Sequence, residues 1–158
     1  MKLDLYQIDA FTDKVFGGNP ACVVPLNKWL EDEKLLNIAQ ENAVSETAFF
    51  VQNDNFFHLR WFTPDIEMDL CGHATLAAAY VIKKHLKFPK DVISFNTLSG
   101  KLNVHVNHEN FTLDFPSRKP VISELPLIIK KSLSIQPKKI LKSRDYFLVY
   151  NNQKEIEE

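Results

Sequence analysis

The sequence predicts an α+β chain in which a mostly antiparallel sheet curls around one buried helix. Two observations carry this expectation. The stretch from Glu67 to Leu76 runs into Ala77, Ala78, Ala79, Tyr80, Val81 and Ile82 without a charge until Lys83 and Lys84. A helix that is small or apolar on every face is a buried helix. On both sides of it, short segments alternate with period two and are separated by turn residues, the pattern of strands.

The elements follow in order. Residues 3–10 read as a first strand, with Leu3 and Leu5 alternating against Asp4 before Tyr6 and Ile8. Phe16-Gly17-Gly18-Asn19-Pro20 is a loop that demands unusual backbone angles. Residues 21–24 have no polar face, which predicts a central strand, and Pro25 is expected to end it. Between Asp32 and Asn42, Leu35, Ile38 and Ala39 recur at helical spacing, and Asp32 and Glu33 complement the dipole of the first turn. Ala43 to Thr47 crosses into a strand at residues 48–51, and Asp54-Asn55 turns the chain. Phe57, Leu59 and Trp61 alternate with His58, Arg60 and Phe62, so one face of that strand is in the core. Thr63-Pro64-Asp65 leads to the buried helix, with Gly72 where the chain turns into it and the two lysines at its end.

Beyond Pro89, residues 92–96, the turn Leu98-Ser99-Gly100, and the alternations Leu102/Val104/Val106 and Phe111/Leu113/Phe115 predict an antiparallel meander. Pro116, Pro120 and Pro126 punctuate a linker. Residues 1–118 are therefore expected to form one domain. Residues 119–158 read as a linker and the opening of a truncated second domain, holding an amphipathic stretch at 127–133 and a strand at 146–150.

Composition narrows the function classes. A formal net charge of -1 with acids and lysines interspersed argues against nucleic acid or an anionic membrane as partner. No apolar run is long enough to span a bilayer. Asp4 and Gln7 interrupt any secretory signal, and the two cysteines read as reduced thiols, which predicts a cytoplasmic protein. The five histidines show neither helical zinc spacing nor a Cys-x-x-Cys knuckle, and no glycine-rich phosphate loop follows the first strand. The expectation is no metal and no nucleotide.

Several residues could carry chemistry. Glu46 lies between apolar neighbours at a helix-to-strand crossing, where partial desolvation suits a general acid/base; position alone favours an exposed glutamate that caps a helix end. The first turn of the buried helix offers free N–H groups that favour a carboxylate, or that are simply capped. His73 there is a donor to a substrate or a structural histidine, and Cys71 is a reactive thiolate or a buried apolar group. Asp69 could support His73 or only the helix dipole. Asn19 could fix its turn or present its amide to a ligand, and Cys22 reads as structural.

As an ordered set, Asp9-Ala10-Phe11-Thr12, Phe16-Gly17-Gly18-Asn19-Pro20-Ala21, Ser45-Glu46-Thr47-Ala48-Phe49, Leu59-Arg60-Trp61-Phe62-Thr63-Pro64 and Asp69-Leu70-Cys71-Gly72-His73-Ala74-Thr75-Leu76 resemble the PhzF-like isomerase/epimerase family of phenazine biosynthesis. The resemblance runs from the first strand to about Pro116. It implies the diaminopimelate epimerase-like fold, two similar domains with the active site between them. It also implies cofactor-free proton transfer on a small carboxylate-bearing substrate; founding members isomerise a dihydro-hydroxyanthranilate. In that scheme Glu46 is the catalytic acid/base, Ser45, Gly72, His73 and Asn19 bind substrate, and Cys71 and Asp69 support them. Cys71-Gly72-His73 also resembles the Cys-Gly-Asn of two-thiol amino-acid epimerases and racemases, the alternative in which Cys71 acts directly, although the Glu46 motif favours the isomerase. A non-catalytic carboxylate-binding module is the third reading. Because the family's second domain closes the site, activity is expected to be impaired unless a homo-oligomer or a separate second-domain chain supplies it.

Overall fold

The computed structural model describes residues 1–14 and 16–158. They divide into two compact units, Met1–Phe115 and Pro116–Glu158.

The first unit is an α+β half-barrel. Strand β1 (Tyr6–Ala10) pairs antiparallel with β2 (Asn19–Leu26), and β2 runs parallel to β3 (Glu46–Asn53). β4 (Phe56–Phe62) returns antiparallel to β3, pairs at its end with the short β5 (Glu67–Met68), and runs parallel to β6 (Val92–Thr97). β7 (Gly100–Asn107) and β8 (Asn110–Asp114) complete the sheet, with β1 and β8 as its edges. The two parallel pairs come from two crossovers. Helix α1 (Asp32–Asn42) joins β2 to β3, and helix α2 (Gly72–Tyr80) lies between β4 and β6. All other pairings are antiparallel, as the strand spacing predicts.

The two helices take opposite faces of the sheet, and strand alternation sorts the side chains between them. On β3, Ala48 and Phe50 join the cluster around α2, whereas Phe49 joins the cluster around Leu35 and Ala39 of α1. On β2, Ala21 and Val23 face α2, and Val24 and Leu26 face α1. α2 itself packs against β1, β2, β3 and β8. Its Ala74, Ala77, Ala78 and Ala79 are wholly buried, and their small side chains let the sheet close around the helix. Trp61, Phe50, Phe57 and Phe95 fill the rest of that core, each worth about 1.5–3 kcal/mol of apolar burial.

The structure departs from the sequence reading at several boundaries. β1 begins at Tyr6 rather than at residue 3. β2 continues through Pro25 to Leu26. Pro25 pairs only with Phe50, because β1 has ended at the Tyr6–Val23 pair, and a one-sided position tolerates a missing N–H. α2 gives way at Val81 to a π-helical turn, Val81–His85. Lys83 reaches Asp91 at 2.9 Å and Lys84 reaches Glu109 at 2.6 Å, so these lysines tie α2 to the strands that follow.

The second unit holds more structure than the predicted stretch and strand. β9 (Val121–Ile122), β10 (Lys139–Lys142) and β11 (Tyr146–Val149) form a three-stranded sheet in the order β11-β10-β9, with short helices α3 (Leu127–Ser132) and α4 (Lys154–Glu157). β10 lacks a clean alternation, its Ile140 and Leu141 being adjacent between lysines, so periodicity does not mark it as a strand.

Candidate active site

The end of the sheet where β2 and β3 begin meets the N-terminus of α2. α1 stops at Ala43, whose φ of 52° puts it in the left-handed region with its N–H bonded to Ala39 O. Asn42 Nδ2 then donates to Thr47 Oγ1 at 3.1 Å, on the α1 side of β3. With Thr47 fixed on that face, alternation turns Glu46 to the same face as Ala48 and Phe50, toward α2. Ser45 Oγ donates to Asn19 Oδ1 at 3.3 Å, tying together the starts of the two parallel strands. Asn19 is held in turn by the loop before it. Gly18 has a φ of 68°, and a β-carbon there would run into the Ala10 carbonyl.

From the other side, β5 delivers the chain to Cys71, the residue before α2. Arg60 anchors β5, donating to both Glu67 carboxylate oxygens at 2.7 Å and to Asp32 at 2.9 Å. Ser99 Oγ donates to Asp69 O at 2.7 Å, which fixes the approach to the helix. Thr75 Oγ1 donates to Cys71 O at 2.5 Å and closes the first turn. Gly72 needs no left-handed backbone. A β-carbon there would meet only Phe115 Cε2 at 3.9 Å, an ordinary contact.

These elements bring Glu46, Cys71 and His73 together, with one ligand-type atom of each lying within 4.8 Å of the others. His73 Nε2 is 3.2 Å from Glu46 Oε2, and His73 Nδ1 is 3.5 Å from Cys71 Sγ. The Nε2–Oε2 approach is close but poorly aligned, so both atoms are buried without a hydrogen-bond partner in the protein. Buried polar atoms are normally satisfied, and an exception of this kind marks a place where a further group can bind.

The electrostatics separate the two readings of Cys71. Burial pushes the thiol up to about 12, the Ala74 amide lowers it only in part, and the Glu46 charge raises it further, which favours the buried apolar group over the thiolate. Desolvation outweighs the dipole because the sulfur is enclosed. Burial also holds His73 below its ordinary value of 6.5, with the Glu46 charge pulling the other way. At neutral pH the group therefore holds a neutral thiol beside a neutral imidazole. Cys22 is likewise buried and pushed up by desolvation.

The structure thus gathers Glu46, Cys71, Gly72 and His73 at one point, with the linked pair Ser45 and Asn19 at the adjoining strand starts and Asp69 on the approach to α2. One further polar group on the inner face escapes the sequence reading. Trp61 Nε1 is buried without a partner, and Trp61 pairs with Ala48, two residues from Glu46 on the same strand face. The alternation of β4 already assigned that indole to the core; an indole N–H there needs an acceptor. A separate cavity of about 500 Å³ lies over Leu76, Ala77 and Tyr80, between β1 and the start of β8, and none of the gathered residues lines it. Its position at the seam between the two sheet edges accounts for it.

Comparison with known proteins gives a consistent picture. The sequence model of a family described as phenazine biosynthesis-like protein, PhzC-PhzF, matches residues 8–143. An uncharacterized isomerase of Pseudomonas aeruginosa is 46% identical over 156 residues, covering 99% of this chain and 60% of the relative. A crystal structure of a PhzF family phenazine biosynthesis protein from Enterococcus faecalis superposes with a TM-score of 0.89 at 39% identity, covering 99% of this chain and 60% of that one. A predicted epimerase from Pseudomonas aeruginosa, at 19% identity and a TM-score of 0.70 over 93% of this chain, shares the fold. The chain spans 60% of the first of these relatives.

Proposed function

The chain belongs to the phenazine biosynthesis-like (PhzF) isomerase family, and from that premise we propose that it contributes a cofactor-free acid/base site that moves a proton on a small carboxylate-bearing substrate. The observation that carries this reading is the approach of Glu46 Oε2 to within 3.2 Å of His73 Nε2, both buried and unpaired. A carboxylate in that setting can take a proton from a carbon next to an activating carbonyl or carboxylate. The electron pair left behind is delocalised onto the activating group's oxygen, and Glu46 returns the proton at the carbon where the product needs it. In this reading His73, neutral at pH 7, donates a hydrogen bond to the developing oxyanion. The Gly72 and His73 amides at the start of α2 receive the substrate carboxylate, with Gly72 leaving the backbone open to approach. Ser45 and Asn19 set the far rim of the site.

Cys71 takes a supporting part in this reading. In the two-thiol alternative one thiol is the base and the other the acid; burial keeps the Cys71 proton in place and leaves it only the acid role, whereas Glu46 supplies a base within this chain. The relatives are longer than this chain, and we take the opposing wall of the cleft to come from polypeptide other than these 158 residues, in a larger chain or an assembly of chains.

The test is proton–deuteron exchange in deuterated water, followed by NMR on a panel of small unsaturated and α-substituted carboxylic acids, with the chain alone and with the remaining length of its relative added. The wild type is expected to exchange one substrate hydrogen. Glu46→Gln should lose about 10²–10⁴-fold in rate, the usual contribution of a positioned acid/base. A Glu46→Gln protein that exchanges as fast as the wild type removes the assignment. If it keeps ligand affinity and no form exchanges, the binding-module reading replaces the catalytic one.

A further inference from the structure

The same three side chains form a donor set that the sequence spacing conceals. Residues 46, 71 and 73 match no metal motif, because one ligand comes from a strand start and two from a helix start. In space their nitrogen, sulfur and oxygen donors lie within 4.8 Å of one another, the His73 ring sitting 3.2 Å from the Glu46 oxygen and 3.5 Å from the Cys71 sulfur. Tetrahedral zinc with bonds of about 2.0–2.3 Å to O, N and S needs ligand atoms about 3.3–3.6 Å apart. Two of the separations are already close to that. The two contacts use different nitrogens of one ring, so an ion would take one nitrogen, and a turn of the ring or of the Glu46 side chain brings in the third donor. Nε2 and Oε2 are buried and unpartnered, so neither has a hydrogen bond to give up. Among the described residues, Glu46 has no lysine or arginine partner to compete with a cation.

We propose that Glu46, Cys71 and His73 form a capture site for a borderline-soft divalent cation of the zinc class, and that filling it silences the acid/base at position 46. The silencing rests on the function proposed above; the capture does not. On capture the Cys71 S–H bond breaks, its proton leaves to solvent, and the sulfur lone pair makes the sulfur–metal bond. One imidazole nitrogen and one Glu46 oxygen supply two more bonds, and water completes the fourth position. No electron is transferred. A divalent cation draws the proton from a coordinating thiol outright, so the buried thiol is no obstacle. An N/S/O set of this kind suits zinc or cobalt(II) rather than magnesium or calcium, which prefer all-oxygen shells.

Cobalt(II) is the probe, titrated into the whole chain without substrate. The expected result is saturation at a single equivalent, with a thiolate-to-cobalt charge-transfer band, intense tetrahedral visible bands and displacement by Zn²⁺. Cys71→Ser should abolish the charge-transfer band. His73→Gln and Glu46→Gln should each weaken binding by at least the roughly 10–100-fold that loss of an outer-sphere partner brings. Cys22→Ser should titrate like the wild type. Absence of the charge-transfer band, or its survival in Cys71→Ser, overturns the capture site. Should Cys71→Ser fail to fold by circular dichroism, His73→Gln decides, and undiminished affinity there overturns the proposal as well. Silencing is read separately, as loss of proton exchange on adding Zn²⁺ and its return with chelator. Unchanged exchange with the ion bound overturns the silencing, whereas the Glu46→Gln exchange test bears on the acid/base alone.

Discussion

At the residue scale, Gly72 separates what the fold needs from what a ligand would need. Its backbone is not left-handed, and the only neighbour a β-carbon would meet is Phe115 Cε2 at 3.9 Å. Folding therefore gives no reason for a glycine at the first position of α2. On the function proposed above the reason lies in access, since a methyl there would stand beside the amides that open the helix. Gly72→Ala is expected to leave thermal stability unchanged or to raise it by up to about 1 kcal/mol, because alanine reduces the entropy of the unfolded chain. The same substitution should weaken binding of a carboxylate substrate and lower proton exchange at least ~10-fold, the effect of losing about 1.4 kcal/mol of binding. A melt and an exchange rate measured on one preparation decide it. A destabilised variant makes the glycine structural, and an active one removes the amides of α2 from the site.

At the scale of elements, the site is a product of sheet register. The inward direction of Glu46 was not readable, since the apolar run marks a strand only at residues 48–51; the structure starts that strand at Glu46, which puts residues 46, 48 and 50 on one face. The parallel pairing of Ala21 with Glu46, which brings Asn19 beside Ser45, was not readable, because no local pattern fixes which strand a βαβ crossover returns to. The buried character of α2 was plain from its alanines, and the same burial favours the apolar reading of Cys71 over the thiolate one. The three-donor cluster was hidden for a related reason: spacing rules find ligands on one element, and these sit on two. Gly18 holds this register at its open end, where Ala10 pairs with Asn19. With a φ of 68° and the Ala10 carbonyl where a side chain would go, Gly18→Ala should cost more than the roughly 1–2 kcal/mol of left-handed strain alone. Gly100→Ala is the control. Gly100 has a φ of 91° with open space around the β-carbon, so only the strain remains. Urea unfolding should show a lower midpoint for Gly18→Ala than for Gly100→Ala, with the slope unchanged in both; equal midpoints would mean that the carbonyl yields freely.

At the scale of the whole molecule, nearly all of the buried core belongs to the unit Met1–Phe115, along with every residue assigned to the site. In the unit Pro116–Glu158, Leu125 is the only residue in the buried class, and Val121, Ile122, Leu127, Ile128 and Phe147 are exposed. A small sheet with so little enclosed apolar surface does not offset the conformational entropy of ordering it. The first unit has a sheet covered by a helix on each face, which is enough for a cooperative core. A fragment ending at Phe115 is therefore expected to unfold in one cooperative transition and to bind cobalt(II) with the same charge-transfer band as the whole chain. A fragment starting at Pro116 should show no cooperative transition of its own. Calorimetry and cobalt titration of the two fragments test this directly. A first fragment without a heat-absorption peak means that its core depends on chain beyond Phe115. A first fragment that melts cooperatively without binding the ion means that the geometry of Glu46, Cys71 and His73 is held by more than the sheet and helix that carry them.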